Sequence, residues 1–447
     1  MNRPHQHGSD PGGVSFAWPP LVVLAALTIV LALTAPAVAQ NKPDKKQPVT
    51  ITYWCSPYPN EAGWAITMTR LWNQTHPNIR VRLQAIPQGR LTEDVLTEAI
   101  KNRTTPDVCS HLFPVNVHEF VGMGGLLPLD SFPQLIASAR KRSGDAALSG
   151  FRSPDGKLYQ LPWKCNPIML QYNAGLLKKL GLKPPRTYGE FLAVGDALRK
   201  RDIYAWAPNP SDKFFKRYYD FYPLYFAAAA GHPFLDGRGG PAFKNTASVA
   251  VMDFLRECFR RGYAPRDEMY QNDAALNEAF ASGKIAFLVT GPWNIPMIEE
   301  IAGNTVQFSF IPVPVPDSRS PAKPTYTYGN FRNIGIFSNT KHRAEAAQFA
   351  EFLISRQSDV AFLEMCSELP YRLDLLTDPS FTTLLKQNPY LGIFARQLAN
   401  VRSVENAPYF NKVLGAISKQ YVECAVQGRK ASRQGVIDAA AEVTRMN

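Results

Sequence analysis

Past the N-terminal 39 residues the chain has five histidines: His76, His111, His118, His232 and His342. His111 and His118 are seven apart, and no third ligand stands at metal-site spacing, so no metal centre is expected. HExxH, GxSxG and Walker A patterns are absent. Gly122-Met123-Gly124-Gly125 lacks the strand-to-helix setting of a dinucleotide loop. Acidic residues such as Asp107, Glu119 and Glu190 could form a glycosidase pair only through spatial proximity, which a sequence does not reveal. Such residues more often serve as surface, cap or ligand-binding groups.

The elements that would position such groups are legible. Residues 156–187, GKLYQLPWKCNPIMLQYNAGLLKKLGLKPPRT, run from a Gly156-Lys157 turn into an extended segment that Pro162 should stop. A second apolar run, Ile168 to Leu170, leads through Tyr172-Asn173 to a short helix ended by Gly181, and Thr187 should cap the next helix. A strand that halts at Pro-Trp and re-enters another sheet marks a crossing between two lobes, where a cleft forms.

Val49 to Trp54 reads as a strand, Trp64, Met68, Leu71 and Trp72 as one helical stripe, and Ile79 to Ala85 as an alternating strand. Leu91, Val95, Ala99 and Ile100 give a further helix before a third strand at Asp107-Val108-Cys109. This succession predicts a parallel α/β sheet. Later strands are expected at Ile285 to Val289, Phe308 to Val313 and Tyr326 to Phe337, with a mainly helical tail. The block from 201 to 231 is crowded with aromatics, most of them helix core, with one or two expected to face a ligand.

At 447 residues the chain has room for two such lobes, and its 45% apolar, 19% charged composition is globular. The net charge of +12 is scattered in short clusters such as Arg140-Lys141-Arg142, without the basic and aromatic stripe of a nucleic-acid surface. Six widely spaced cysteines form no CxxC pair, and buried thiols are expected. Leu21 to Leu33 is an uncharged apolar stretch of about 13 residues, short of the roughly 20 that span a bilayer. Pro36 and Ala37-Val38-Ala39 follow it, so residues 1–39 read as a signal peptide cleaved before Gln40, with an uncleaved anchor as the alternative. No lipoprotein cysteine follows the cleavage point, and residues 40–48 read as a flexible leader.

In order along the chain stand ITYW, LWNQTHPNIRVRL, TTPDV, GGLLPLD, GKLYQLPW, LQYNAGLLKKLGLKPPRTYGEFL, ASGKIAFLVTGPWNI, FSFIPVP, EAAQFAEFLIS and LPYR. Over residues 49–375 this succession resembles the extracellular solute-binding proteins of ABC importers, in the sugar-binding, maltose-binding-protein-like branch. The resemblance implies an α/β fold of the periplasmic-binding-protein type II kind, two α/β lobes joined by hinge crossings with a ligand cleft between them. Lobe 1 is expected to hold 49–160 with 312–355, and lobe 2 161–311 with 356–447.

It further implies a monomeric periplasmic binding protein, without cofactor, metal or catalysis, that captures a sugar and delivers it to ABC permease subunits in the inner membrane. The alternatives are an anionic solute such as a glycerol phosphate ester on the same scaffold, and a secreted carbohydrate-active enzyme. In the cleft, Trp293 is expected to stack on the sugar, the alternative being a core indole under the next helix. Trp163 faces the cleft or packs the hinge. Ser56 and Tyr58 follow the first strand, and His111 and Phe113 the third, while Asp107 fixes backbone. Trp206 and Asn209 line the wall of the second lobe. Gly329 permits close backbone approach and Asn330 bonds hydroxyls. Arg372 reaches the cleft or forms a surface ion pair.

Overall fold

The computed structural model describes residues 47–266, 270, 272–321, 323–403, 405, 407 and 409–446. The expected signal peptide, and the leader as far as residue 46, lie outside the described residues. Nine strands occur among them: β1 Val49–Cys55, β2 Ile79–Ala85, β3 Val108–Leu112, β4 Leu161–Pro167, β5 Met169–Asn173, β6 Phe287–Thr290, β7 Phe308–Ile311, β8 Thr327–Ile336 and β9 Val401–Arg402.

One sheet has the order β2-β1-β3-β8-β4, with β9 beside β8, and a second has the order β6-β5-β7. The predicted parallel unit is present, since β1 pairs parallel with both β2 and β3. The sheets are otherwise mostly antiparallel: β8 inserts between β3 and β4 in the opposite sense, and both pairings of β5 are antiparallel. Helices packed beside each sheet complete two α/β lobes. No helix among the described residues is long and apolar enough to cross a membrane.

Helix Pro59–Thr75 begins with proline at its first turn, where the missing N–H costs nothing, and buries Trp64, Met68 and Trp72 along one stripe. Trp72 Nε1 donates to the Ile79 carbonyl at 3.1 Å and pins the helix to β2. Pro162 does not stop its strand. It lies inside β4, the outer strand of the path, beside a register shift between Pro162 and Lys164, and outer strands and bulges tolerate a missing donor. Gly181 ends helix Ala174–Lys179 at φ +70°, and Thr187 Oγ1 accepts from the Glu190 amide, as the spacing predicts.

The first sheet's core gathers Tyr53, Trp64, Trp72, Trp163, Phe349 and Phe362. The last of these belongs to helix Arg356–Cys366. The second sheet is flanked by a core of Phe191, Trp206, Phe254, Phe287 and Phe410, into which the C-terminal helices pack. All six cysteines are buried and unpaired. The chain passes from the first sheet to the second at Ile168, and returns between β7 and β8. The two passages are bonded together: the Ile168 amide donates to the Tyr328 carbonyl at 3.0 Å, and Thr327 Oγ1 donates to the Ile168 carbonyl at 2.5 Å.

Candidate functional site

A cavity of about 110 Å³ opens at the end of β6, lined among others by Trp206, Asn209, Tyr219, Tyr270, Asp273, Asn277, Trp293 and Asn294. The chain reaches it through Gly291-Pro292, and Trp293 stands at the N-cap of helix Asn294–Ala302. Its indole folds back over Gly291, where only the missing Cβ leaves room. Tyr219 meets it edge-on, with ring centroids 6.2 Å apart at 80°. Asn294 Nδ2 donates to Gln171 Oε1 at 2.7 Å, which fixes that amide from β5. Asn272 caps helix Asp273–Ala281 by accepting from the Ala275 amide, and Asp273 and Asn277, four residues apart, share one helix face. Asp220 also lines the cavity; burial pushes its carboxyl up to about 6, against the pull of Arg217.

A second group comes from the first sheet. Ser56 follows β1 and is buried, and its Oγ accepts from the Tyr58 amide at 3.2 Å. This presents the Tyr58 ring, 57% exposed, beside His111 at the end of β3, with centroids 6.0 Å apart. His111 in turn meets Phe113 at 5.6 Å, and the Arg332 guanidinium of β8 lies over the Phe113 ring at 3.2 Å. Asn330, two residues before Arg332 on the strand, accepts from Arg332 Nη1.

The two groups share one electrostatic neighbourhood. Although much of the Tyr58 ring is open, desolvation around its hydroxyl raises that pKa, with Arg332 opposing the rise and Asp273 adding to it. Burial likewise raises Tyr219, again opposed by Arg332 and assisted by Asp273 and Tyr58. The charges of Arg332 on β8 and of Asp273 at the head of its helix thus act on hydroxyls in both groups.

Behind Tyr58 lies a buried ionic cluster. Lys164 of β4 meets Glu61 Oε1 and Glu368 Oε2, each at 2.8 Å, and Asn166 also donates to Glu368. Burial alone would raise the Glu61 carboxyl, but Lys164 and His111 hold it well below the usual range. Glu368, sharing the same cation, is raised by burial. Burial lowers His111 to about 4, although Glu61 stands 3.8 Å from its Nδ1.

Of the expected site residues, Trp293, Trp206 and Asn209 line the cavity, although Trp206 is largely a core indole packed on Phe191 and Phe254. Ser56, Tyr58, His111, Phe113 and Asn330 belong to the group gathered at the first sheet. Three others are placed elsewhere. Trp163 is 1% exposed and packs on Trp64 and Phe362, with centroids 5.1 and 4.8 Å away, because its strand is buried on both faces. Gly329 makes room for Cys165, since a Cβ there would stand 2.9 Å from the thiol sulfur. Arg372 pairs with Asp359 at 2.8 Å and forks onto both oxygens of Asp374. Asp107 accepts from the Thr52 amide at 2.6 Å and holds β1 to β3, the backbone role expected of it.

Arg332, Asp273, Asn277, Asn294 and the Glu61–Lys164–Glu368 cluster were not anticipated. One signal did point to Arg332: it is a cation within the apolar run Tyr326 to Phe337. Among the described residues no group of three or more His, Cys, Asp or Glu could hold a metal ion. The arrangement suits a ligand with apolar faces and a hydroxyl-rich edge, the faces meeting Trp293 and the tyrosines and the edge meeting the amides.

Residues 68–388 match the family model described as bacterial extracellular solute-binding protein. The chain is 25% identical over 186 residues to the arabinooligosaccharide-binding protein of Bacillus subtilis, covering 40% of this chain and 41% of that relative's length. It is 22% identical to the multiple sugar-binding protein of Streptococcus mutans, covering 76% of this chain and 78% of that one. Among solved structures, the cyclic alpha-maltosyl-1,6-maltose binding protein of Arthrobacter globiformis superposes with a TM-score of 0.74 at 19% identity, covering 89% of this chain and 98% of that one.

Proposed function

We propose that this chain, which belongs to the family of bacterial extracellular solute-binding proteins, captures an oligosaccharide and delivers it to the permease of an ABC importer. The observation that carries this reading is the crevice in which Trp293 and Tyr219 stand beside the amides of Asn209, Asn277 and Asn294. Sugars are apolar on their ring faces and polar at their edges, and this lining has both characters. The relatives bind arabinooligosaccharides and cyclic maltosyl-maltose, which agrees with an oligosaccharide ligand.

The protein acts as a monomer without catalysis, exported to the periplasm by cleavage of residues 1–39, and meets permease subunits at the inner membrane. The lobe bounds expected from the sequence, 49–160 with 312–355 and 161–311 with 356–447, move at two places: β4 pairs with β8 in the first sheet, and helix Arg356–Cys366 packs in the first sheet's core. Ligand held by both lobes favours the closed form; hinge closure is the established behaviour of periplasmic binding proteins as a class. Only differential affinity moves that equilibrium, and a swing from 1:99 to 99:1 requires about 5.5 kcal/mol of it.

A thermal-shift and calorimetric screen of oligosaccharides against the purified protein tests the reading. A binding sugar raises the melting temperature and compacts the protein in small-angle scattering, and Trp293→Ala weakens it about fivefold or more. Absence of any saccharide binding overturns it, and turnover of a bound glycoside would favour an enzyme instead.

A further inference from the structure

Four lysine or arginine side chains are buried among the described residues: Arg142, Lys164, Arg217 and Arg332. Three of them have carboxylate partners. Arg142 holds Asp359, Lys164 holds Glu61 and Glu368, and Arg217 holds Asp220. Arg332 is 7% exposed and forms no ion pair among the described residues. Its Nη1 donates to the Asn330 side chain and to the Phe331 carbonyl, and its flat face lies on Phe113. Its Nε is buried and has no hydrogen-bond partner among the described residues.

A ring face answers a cation only through its quadrupole, and leaves the N–H edge of the guanidinium unmet. A buried charge of this kind is normally paired. From this, and resting on the saccharide-binding reading above, we infer that the ligand is a sugar bearing an oxyanion, a carboxylate or a phosphate, seated on the Nε edge of Arg332.

The surroundings agree. The Arg332 charge opposes the rise in hydroxyl pKa of Tyr58, Tyr218, Tyr219 and Tyr328, so its field reaches all four. Tyr218 and Tyr328 stack on each other at 4.8 Å. The carboxyl groups that act on the same tyrosines are Glu61, Glu93 and Asp273; Glu61 is held by Lys164, and none of the three pairs with Arg332 among the described residues. Burial raises Glu93, which lessens its competition for the guanidinium. The net charge of +12 favours the approach of an anion. Arg372, the arginine expected to reach the cleft, is occupied by Asp359 and Asp374.

The test is calorimetry of the full exported chain with digalacturonate and trigalacturonate, their neutral galactose counterparts, and glucose 1-phosphate. The acidic sugar should bind more tightly than its neutral counterpart, and added salt should weaken it. Arg332→Gln should cost the acidic sugar about tenfold to hundredfold, the range of a charge-assisted hydrogen bond, and cost the neutral one clearly less. Arg332→Lys should recover part of the loss, because it keeps the charge without the fork; it also carries the test if the glutamine variant fails to fold. Preference for galacturonates identifies a carboxylate, and preference for glucose 1-phosphate a phosphate. Equal affinity for acidic and neutral sugars, or equal losses for both in Arg332→Gln, overturns the inference while leaving saccharide binding intact. Failure of every sugar to bind overturns both.

Discussion

The indole of Trp293 lies so close over Gly291 that a Cβ on the glycine would stand 2.1 Å from the ring's Cζ3. No side chain fits there unless the ring moves, so the glycine sets the angle at which the indole meets the cavity. Gly291→Ala should displace the ring, weaken saccharide binding by about tenfold, and cost about 1–3 kcal/mol of stability, as overpacking does. Calorimetry beside urea denaturation separates the two effects; unchanged affinity would mean that the ring angle is immaterial.

Trp163 gives the opposite pattern. Wedged between Trp64 and Phe362, it should lose about 3–5 kcal/mol of folding stability as Trp163→Ala, the cost of emptying an aromatic site. The fraction that remains folded should bind sugar as the parent does. A selective loss of affinity with normal stability would return this indole to the cleft.

His111 predicts a pH dependence. Its folded pKa of about 4 lies below the ordinary 6.5 because it is buried, with Arg332 and Lys164 adding to the effect and Glu61 opposing it. Above pH 6.5 the ring is neutral in both states and contributes nothing. As pH falls from 6.5 towards 4, the unfolded chain binds a proton that the folded chain refuses, and stability falls by about 1.4 kcal/mol per unit. Urea midpoints at pH 7 and pH 5 should therefore differ more for the parent than for His111→Gln, by about 2 kcal/mol. Parallel losses in both proteins would refute this.

Arg142 and Arg372 share Asp359, which is fully buried. Arg142→Ala removes the two-pronged partner, with bonds of 2.7 and 2.9 Å, and should cost about 3–5 kcal/mol. Arg372→Ala leaves Asp359 bonded to Arg142 and should cost less. Neither should alter the affinity of the folded protein for sugar, and denaturant titration followed by calorimetry checks both points.

Local patterns carried much of the fold. The alternation from Ile79 to Ala85, the stripe of Trp64, Met68 and Trp72, and the caps at Thr187 and Gly181 involve neighbours within one turn or one strand, so period and residue type reveal them. The insertion of β8 between β3 and β4 could not be read in this way, because it pairs residues more than 160 positions apart. The facing of Trp163 was hidden for a related reason: all seven residues of β4 are buried, so no alternation marks an inner side. In the site, Trp293 was visible because Gly-Pro-Trp ends a strand. The occupation of Arg372 by Asp359 and Asp374 depends on a helix turn and a loop meeting in space, which its own motif does not encode.

Thr327 and Ile168 tie the two chain passages between the sheets to one another. Linkers bound side by side cannot slide freely past one another, and the chain crosses once more between helix Arg356–Cys366 and the C-terminal helices. A pair of fluorophores, one on each half, would report whether ligand changes their separation, and a protein that answers in this way is a biosensor for what it encloses.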